Sequence, residues 1–213
     1  NFSALRNYAI YGKYNPTLNA PSEQALKAMN PQELLNLLKN LKNYKQTVLY
    51  YGPSSLKDID QLVSKTILSP KKFAAVPAIK RYKEETTPKN EVIIAPYDAK
   101  NIYMVQFHND DQKWSADRAP IIALFNEYFG GGMNAIVFQE LRESRGLAYS
   151  AYAKYDSPYR LGGNENFYTY IITQNDKMMD CVKEFNKLLN NVPVRQSGFD
   201  LAKQSLMKSL ASN

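Results

Sequence analysis

The chain has 213 residues, 44% of them hydrophobic, and carries a formal net charge of +7 with a pI near 9.2. This length and apolar content suit a globular protein of one large domain or two small ones. The apolar run at residues 119–125 falls far short of the roughly 18 residues of a membrane-spanning helix, so no membrane span is expected.

Basic charge by itself allows an acidic partner such as nucleic acid. The lysines are scattered, however, and the cluster Lys80, Arg81 and Lys83 is followed at once by Glu84 and Glu85. A solvated surface is therefore favoured, and no nucleic-acid partner is expected. The alternative, nucleic-acid binding, predicts a contiguous positive face and retention on heparin that moderate salt abolishes.

The first part of the sequence combines helix starts with one strand pattern. A short helix is expected within residues 2–14, and further helices are expected after the caps Ser22, Asn30 and Ser55. Residues 47–51 are β-branched and aromatic, which predicts a strand. Residues 71–90, with several prolines and many charges, are interpreted as a linker between residues 1–70 and residues 91–213.

Residues 91–213 alternate pairs of strands with pairs of helices. Strands are expected at residues 91–96, 101–108, 147–155 and 166–173. Helices are expected from Asp117, from Asn134, from Asn175 or Asp176, and from Ser197. Adjacent strands without an intervening helix favour antiparallel pairing, which predicts an α+β fold: a mainly antiparallel sheet with helices packed on one face.

Residues 129–150, FGGGMNAIVFQELRESRGLAYS, are the most informative stretch. Each glycine of the triplet would cost about 1 kcal/mol in a helix interior, so the triplet marks a turn. Asn134 is expected to cap the next helix and Gly146 to end it. Arg142 is thus placed near a helix end and Tyr149 at the start of a strand.

Ordinary structural explanations exist for the same residues. A cation such as Arg142 is favoured near a helix C-terminus by the helix dipole, Tyr149 suits a strand, and the glycines suit a helix–helix turn. A phosphate-binding role for the glycines is disfavoured because G-x-G-x-x-G order and a P-loop lysine are both missing.

The stretch resembles the glycine-rich loop and FQELRE-x-x-GLAYS segment in the C-terminal, inactive domain region of the pitrilysin family. These zinc metallopeptidases include insulin-degrading enzyme and mitochondrial processing peptidase. The resemblance implies a two-layer α/β lobe of the LuxS and processing-peptidase-like metallohydrolase type. It also implies that residues 1–70 end one lobe and that residues 91–213 form an inactive peptidase-like lobe.

In that family one lobe carries an H-x-x-E-H zinc motif, and another supplies an arginine and, seven positions on, a tyrosine that contact the substrate. Arg142 and Tyr149 have this spacing, so the resemblance implies that they complete a zinc site located elsewhere. Substrate-lining positions are expected in the loop, at Gly130, Gly131, Gly132 and Asn134.

His108 is the single histidine and Cys181 the single cysteine. One histidine cannot supply the zinc motif, so no metal or cofactor site is expected in this chain, which should be inactive alone. His108 is expected at the surface or lining a chamber, and Cys181 is expected to be a core thiol. Zinc is expected in the parent protein or a partner that carries the peptidase domain, with a peptide as substrate.

From the sequence, two questions stay open. The parent protein is either a zinc metalloendopeptidase or, as the alternative, a processing-peptidase-like complex in which this chain is a catalytically dead binding or assembly module. The sequence starts at Asn1 and ends in a helical pattern, so we expect a piece of a longer polypeptide. The compartment is left open between the bacterial periplasm or cell envelope and the cytoplasm.

Overall fold

The computed structural model describes residues 2–67, 70, 72–86, 88–158 and 162–212. The chain divides into two compact units. The helical unit comprises Pro16–Lys83, and the sheet unit comprises Asn1–Asn15 together with Glu84–Asn213.

Helices dominate the regular structure of the described residues. They are α1 (Phe2–Tyr11), α2 (Glu23–Ala28), α3 (Pro31–Asn40), α4 (Leu56–Thr66), α5 (Ala119–Phe125), α6 (Ile136–Phe138), α7 (Met178–Asn190) and α8 (Gln196–Ala211). Helices α5 and α6 continue into π-helical turns at Asn126–Gly130 and Gln139–Ser144. Short 3-10 turns occupy Pro16–Asn19, Leu41–Asn43 and Asn175–Lys177. None of the described helices is long and apolar enough to cross a membrane.

Side-chain caps define the starts of the helices in the helical unit. Ser22, Asn30 and Ser55 each accept a hydrogen bond from a backbone N–H in the first turn of α2, α3 and α4. Such bonds satisfy N–H groups that have no partner within the helix. The three predicted helix starts are therefore confirmed.

The sheet of the sheet unit contains strands β1 (Asn101–Lys113), β2 (Ser150–Asp156) and β3 (Asn164–Gln174). Its order is β1-β3-β2, and both pairs are antiparallel. Ile171 of the central strand lies between Met104 of β1 and Ala151 of β2. These three side chains share one face of the sheet, because neighbours in register point to the same side.

The hydrophobic core lies between this face and the helices that follow β1 and β3. Fully buried members include Phe129 and Leu141 beside the glycine loop and Phe185 in α7. The predicted α+β fold, with an antiparallel sheet and helices packed on one face, is confirmed. In addition, α1 contacts the opposite face through the Phe2 ring.

Two predicted strands are absent from the described structure. Residues 47–51 and 91–96 have no strand pairing, and Leu49, Val92 and Ile94 are 92%, 84% and 80% exposed. The strand predictions for these segments are wrong, because β-propensity records how a residue fits a paired and half-buried surface. In this structure neither segment has a neighbouring strand to supply that surface.

The domain limits at residues 1–70, 71–90 and 91–213 stay a prediction. In the structure α1 belongs to the sheet unit, where Ile10 O accepts a hydrogen bond from Glu85 N at 2.9 Å. Residues 68, 69, 71 and 87, within or beside the predicted linker, lie outside the described residues.

Cys181 provides a test of the core. Its side chain is 0% exposed, and burial raises the pKa of the thiol from 9.0 to about 11. The predicted core thiol is confirmed.

We expect Cys181 to react with a thiol reagent near neutral pH at least roughly 100-fold more slowly in the folded protein than in denaturant. Burial limits access of the reagent, and the raised pKa lowers the fraction of thiolate. Rapid native labelling of this single cysteine would contradict the packing.

The raised pKa of the Cys181 thiol also makes the free energy of unfolding depend on pH. The folded state keeps the proton to higher pH than the unfolded chain, so the thiol's contribution to stability is complete below about pH 9. That contribution is lost as the pH rises towards 11. Urea unfolding of the wild type and of Cys181→Ala across this range should show the extra alkaline loss in the wild type alone.

Candidate functional site

The glycine loop is fixed by a close backbone contact with β2. Gly130 is buried at the end of the π-helical turn, and a Cβ added to it would lie 2.0 Å from the carbonyl oxygen of Ala153. No side chain fits at that distance. The first glycine of the triplet therefore allows the turn to lie directly on the strand.

Asn126 holds the same turn against the next part of β2. Its Nδ2 donates to the Tyr155 carbonyl oxygen at 2.9 Å, and its Oδ1 accepts from the Tyr155 N–H at 2.8 Å. One amide side chain thus provides the two hydrogen bonds that a neighbouring strand would provide. This edge of the sheet is covered at Ala153 and Tyr155.

The helix after the loop ends at a left-handed glycine, as predicted. Gly146 has a φ of +57°, and its N–H donates to the Arg142 carbonyl oxygen at 3.0 Å. Leu147 N–H then donates to the Leu141 carbonyl oxygen at 2.8 Å, which reverses the chain. Tyr149 follows directly, with its N–H bonded to the Ile172 carbonyl oxygen at 2.8 Å.

This reversal brings Arg142 and Tyr149 together. The Arg142 guanidinium carbon lies 5.8 Å from the centre of the Tyr149 ring and 4.9 Å from that of Phe138. Arg142 Nε also lies 3.7 Å from Glu143 Oε1. The Arg142 side chain is 46% exposed and Tyr149 is 74% exposed, so both polar groups face solvent.

A depression of about 240 Å³, lined by Tyr149 but not by Arg142, opens at one end of the sheet. Tyr149 lines it together with Lys177, whose Nζ donates to the Gly146 carbonyl oxygen at 3.1 Å. Guanidinium, ammonium and phenol groups are all hydrogen-bond donors. The arrangement can therefore bind acceptor oxygens such as those of a peptide backbone.

The other predicted loop positions differ in their surroundings. Gly131 and Asn134 are exposed and Gly132 is partly buried, whereas Gly130 is packed against β2. Asn134 does not cap α6, because Ala135 occupies the cap position and its N–H donates to the Gly132 carbonyl oxygen. The substrate-lining role of the four residues stays a prediction.

The sequence analysis missed two residues beside the pair. Phe138 precedes Arg142 by four positions, and this spacing is itself a signal that the two side chains meet on one helix face. Lys177 has no such signal, since its contact with Gly146 joins residues 31 positions apart.

A larger cavity of about 870 Å³ lies on the inner side of the sheet unit, away from the pair. Phe125, Phe129 and Phe167 form part of its wall, and His108 and Arg118 contribute polar groups. Neither Arg142 nor Tyr149 lines it. His108 is exposed, with its ring centre 6.0 Å from that of Phe167.

The described residues do not form a zinc site. Among them, no group of three or more His, Cys, Asp or Glu side chains is placed to hold a metal ion. The full sequence contains one histidine, whereas a zinc site of the H-x-x-E-H kind takes two. The chain therefore cannot supply an H-x-x-E-H site.

The sequence matches the family model described as the peptidase M16 inactive domain over residues 28–206. No curated protein matches it.

Two solved structures share its fold. The crystal structure of a peptidase M16 inactive domain from Pseudomonas fluorescens is 18% identical, with a TM-score of 0.64 over 97% of this chain and 50% of that one. The crystal structure of a protease from Helicobacter pylori is 16% identical, with a TM-score of 0.67 over 100% of this chain and 53% of that one. The chain spans about half the length of both.

Gly130 and Gly132 offer a matched test of the loop. Gly130→Ala should lower the free energy of unfolding by about 1 to 3 kcal/mol, because the new methyl group would overlap backbone that cannot rotate away. Gly132→Ala meets nothing within 4 Å and needs no positive φ, so it should change that free energy by less than about 0.5 kcal/mol. Chemical denaturation measures both, and equal stabilities would contradict the close approach of Gly130 to β2.

Proposed function

The chain belongs to the peptidase M16 inactive-domain family, and from this premise we propose that Arg142 and Tyr149 contact a peptide substrate at a zinc site carried by another domain. Membership makes the chain a non-catalytic domain of an M16 peptidase, and the resemblance seen in residues 129–150 is confirmed. The zinc site and the roles of Arg142 and Tyr149 are part of the proposal.

One observation carries the proposal. Two side chains seven positions apart converge, with 5.8 Å between the guanidinium carbon and the phenol ring, and both face solvent. A tyrosine that served packing alone would gain from burial of its ring. The ion pair of Arg142 with Glu143 is long, at 3.7 Å, and exposed on both sides, so it contributes little to stability.

Each group has a distinct task at a peptide bond. The Arg142 guanidinium offers a rigid fork of donors and no acceptor, so it holds a carbonyl of the substrate chain in a fixed orientation. The Tyr149 hydroxyl donates a hydrogen bond to the carbonyl oxygen that gains negative charge during cleavage. Donors aimed at a developing charge lower the barrier more than donors that bind substrate and transition state equally.

The zinc ion and its ligands are supplied from outside this chain. Because the chain has a single histidine and an H-x-x-E-H site takes two, we assign the metal to a peptidase domain in the same polypeptide or in a partner subunit. The chain spans about half the length of the structures that share its fold, which leaves room for such a domain in proteins of that size.

We expect Tyr149→Phe to lower kcat of the assembled peptidase by about 100-fold, the usual effect of removing one oxyanion donor. Phenylalanine keeps the ring beside Arg142 and removes only the hydroxyl. Steady-state cleavage of a fluorogenic peptide measures the change. A kcat equal to that of the wild type would contradict the role of the hydroxyl.

Arg142→Ala should lower kcat/KM by a similar factor of about 100, through lost orientation of the substrate. Arg145→Ala is the matched control. Arg145 caps the π-helical segment that contains Arg142, and its guanidinium lies 3.7 Å from the Glu140 carboxylate and 3.6 Å from that of Glu184. It should lose some stability and keep its activity. Equal activity of the two variants would remove Arg142 from the site.

The same assay distinguishes the proposed function from the alternative, in which the chain is a binding or assembly module. If the peptidase domain that joins this chain lacks H-x-x-E-H and the assembly cleaves no peptide, the chain is a binding module and the catalytic role of the pair is excluded.

A further inference from the structure

The helical unit has no hydrophobic core of its own. None of the described residues of Pro16–Lys83 is buried. Polar contacts connect its distant parts: Asn19 Oδ1 accepts a hydrogen bond from the Tyr82 hydroxyl at 2.7 Å, and the Asn43 carbonyl oxygen accepts one from the Ala74 N–H at 2.8 Å. A compact unit is normally stabilised by buried apolar side chains. In the helical unit the apolar side chains are present but exposed.

Helix α3 shows that these side chains follow the pattern of a core face. The leucines of α3 and its C-cap recur at i, i+3, i+4 and i+7, and one more leucine widens the stripe. The other side of the helix is polar, where Gln32 Nε2 donates to Asn36 Oδ1 at 3.0 Å. We call the stripe the leucine face, and its members are Leu34, Leu35, Leu37, Leu38 and Leu41.

The leucine face is exposed along its whole length. Its members are between 47% and 65% exposed, so roughly 500 Å² of apolar surface is in contact with water, as much as the largest patch on a typical monomer. Patches of this size are often binding surfaces. Helices α2 and α4 add further exposed leucines, at Leu26, Leu56 and Leu62. The leucine face therefore has the size of an interaction surface.

The helical unit also carries the net charge of the chain. Residues 16–83 contain eleven Lys or Arg and four Asp or Glu residues, a net charge of +7, whereas residues 1–15 and 84–213 together contain sixteen of each kind. Helices α2, α3 and α4 each have no net charge. The excess is carried by the segments between and after these helices, at Lys42, Lys45, Lys71, Lys72, Lys80, Arg81 and Lys83.

This division of charge favours a protein as the partner. Nucleic acid is bound through basic and stacking aromatic side chains, and a stripe of leucines supplies neither. A helix that lies on an anionic membrane carries excess Lys and Arg on its own polar face, whereas in α3 Glu33 balances Lys39. An apolar centre with a charged rim is the usual composition of a protein–protein interface.

We propose that the leucine face is the surface through which this chain binds its peptidase domain, and that the matching surface of that domain is apolar with acidic groups around it. Burial of the face supplies the core that the helical unit lacks. Lys42 and Lys45 follow α3 directly in the sequence, and acidic groups on the partner complement them. The inference rests on the proposed function for the existence of that domain, in the same polypeptide or in a partner subunit.

Thiol labelling of the assembled peptidase tests whether the face is covered. Leu38→Cys and Asn36→Cys place one thiol on each side of α3. The thiol at position 38 should react with a maleimide at least about 10-fold more slowly than the thiol at position 36, since only the leucine face is covered. Peptide mass spectrometry assigns each label and separates it from the buried Cys181. Equal rates at the two positions would overturn the proposal.

A photoreactive residue identifies what covers the face. With p-benzoylphenylalanine in place of Leu38, irradiation of the assembled peptidase should give cross-links to the peptidase domain, at a surface with more Asp and Glu than Lys and Arg. The same replacement of Asn36 is the matched control and should give few such cross-links. Cross-links only to a second copy of this chain, only within the chain, or only to a basic surface would each refute the assignment.

Vesicles test a lipid surface as the occupant. The assembled peptidase should not float with vesicles of phosphatidylcholine and phosphatidylserine, because its leucine face is already buried against protein. Flotation that Leu38→Asp abolishes would assign the face to an anionic membrane and exclude the peptidase domain as its partner.

None of these readouts depends on catalysis, so the two proposals can fail separately. If Arg142→Ala leaves turnover unchanged while position 38 cross-links to the peptidase domain, the role of Arg142 fails and the docking surface stands. If Arg142→Ala abolishes turnover while position 38 is labelled as fast as position 36, the docking surface alone fails.

Discussion

The contact between Gly130 and the backbone of Ala153 is the constraint on which the candidate site depends. It places a π-helical turn on the edge of β2, where Asn126 completes the hydrogen bonding of Tyr155. The helix after the loop then starts from a fixed point beside the sheet. Arg142, in the last turn of that helical segment, consequently lies next to the first residues of β2, because the same strand serves as the base of the loop and as the continuation of the helix.

The proposed site presents hydrogen-bond donors, and the described residues around it include no cluster of metal ligands. In the proposed function the groups that orient a peptide lie apart from the groups that hold a metal, and the two sets need different surroundings. Metal ligands require a closed set of lone pairs at fixed distances. Donors such as Arg142 and Tyr149 require only exposure and a rigid base, which Phe138 and the Gly146 turn provide. They can therefore be carried by a separate lobe.

The two faces of the sheet pack against different elements. On the inner face, Ala151 and Ala153 are small, and this allows the glycine loop and the helices to approach closely. On the outer face, Tyr152 and Tyr170 stack on each other and α1 adds the ring of Phe2. Alternation of side chains along each strand separates the residues that pack against the core helices from those that pack against α1.

Local residue patterns were enough to predict the α+β class, the helix caps Ser22, Asn30 and Ser55, the Gly146 stop and the family. It failed at residues 47–51 and 91–96, where strand propensity had no neighbouring strand to pair with. Only the tertiary structure showed that Gly130 packs on β2 and that Arg142 meets Tyr149. Contacts of this kind join residues through the folded chain, and the spacing of residues along a sequence does not specify the distance between them in space.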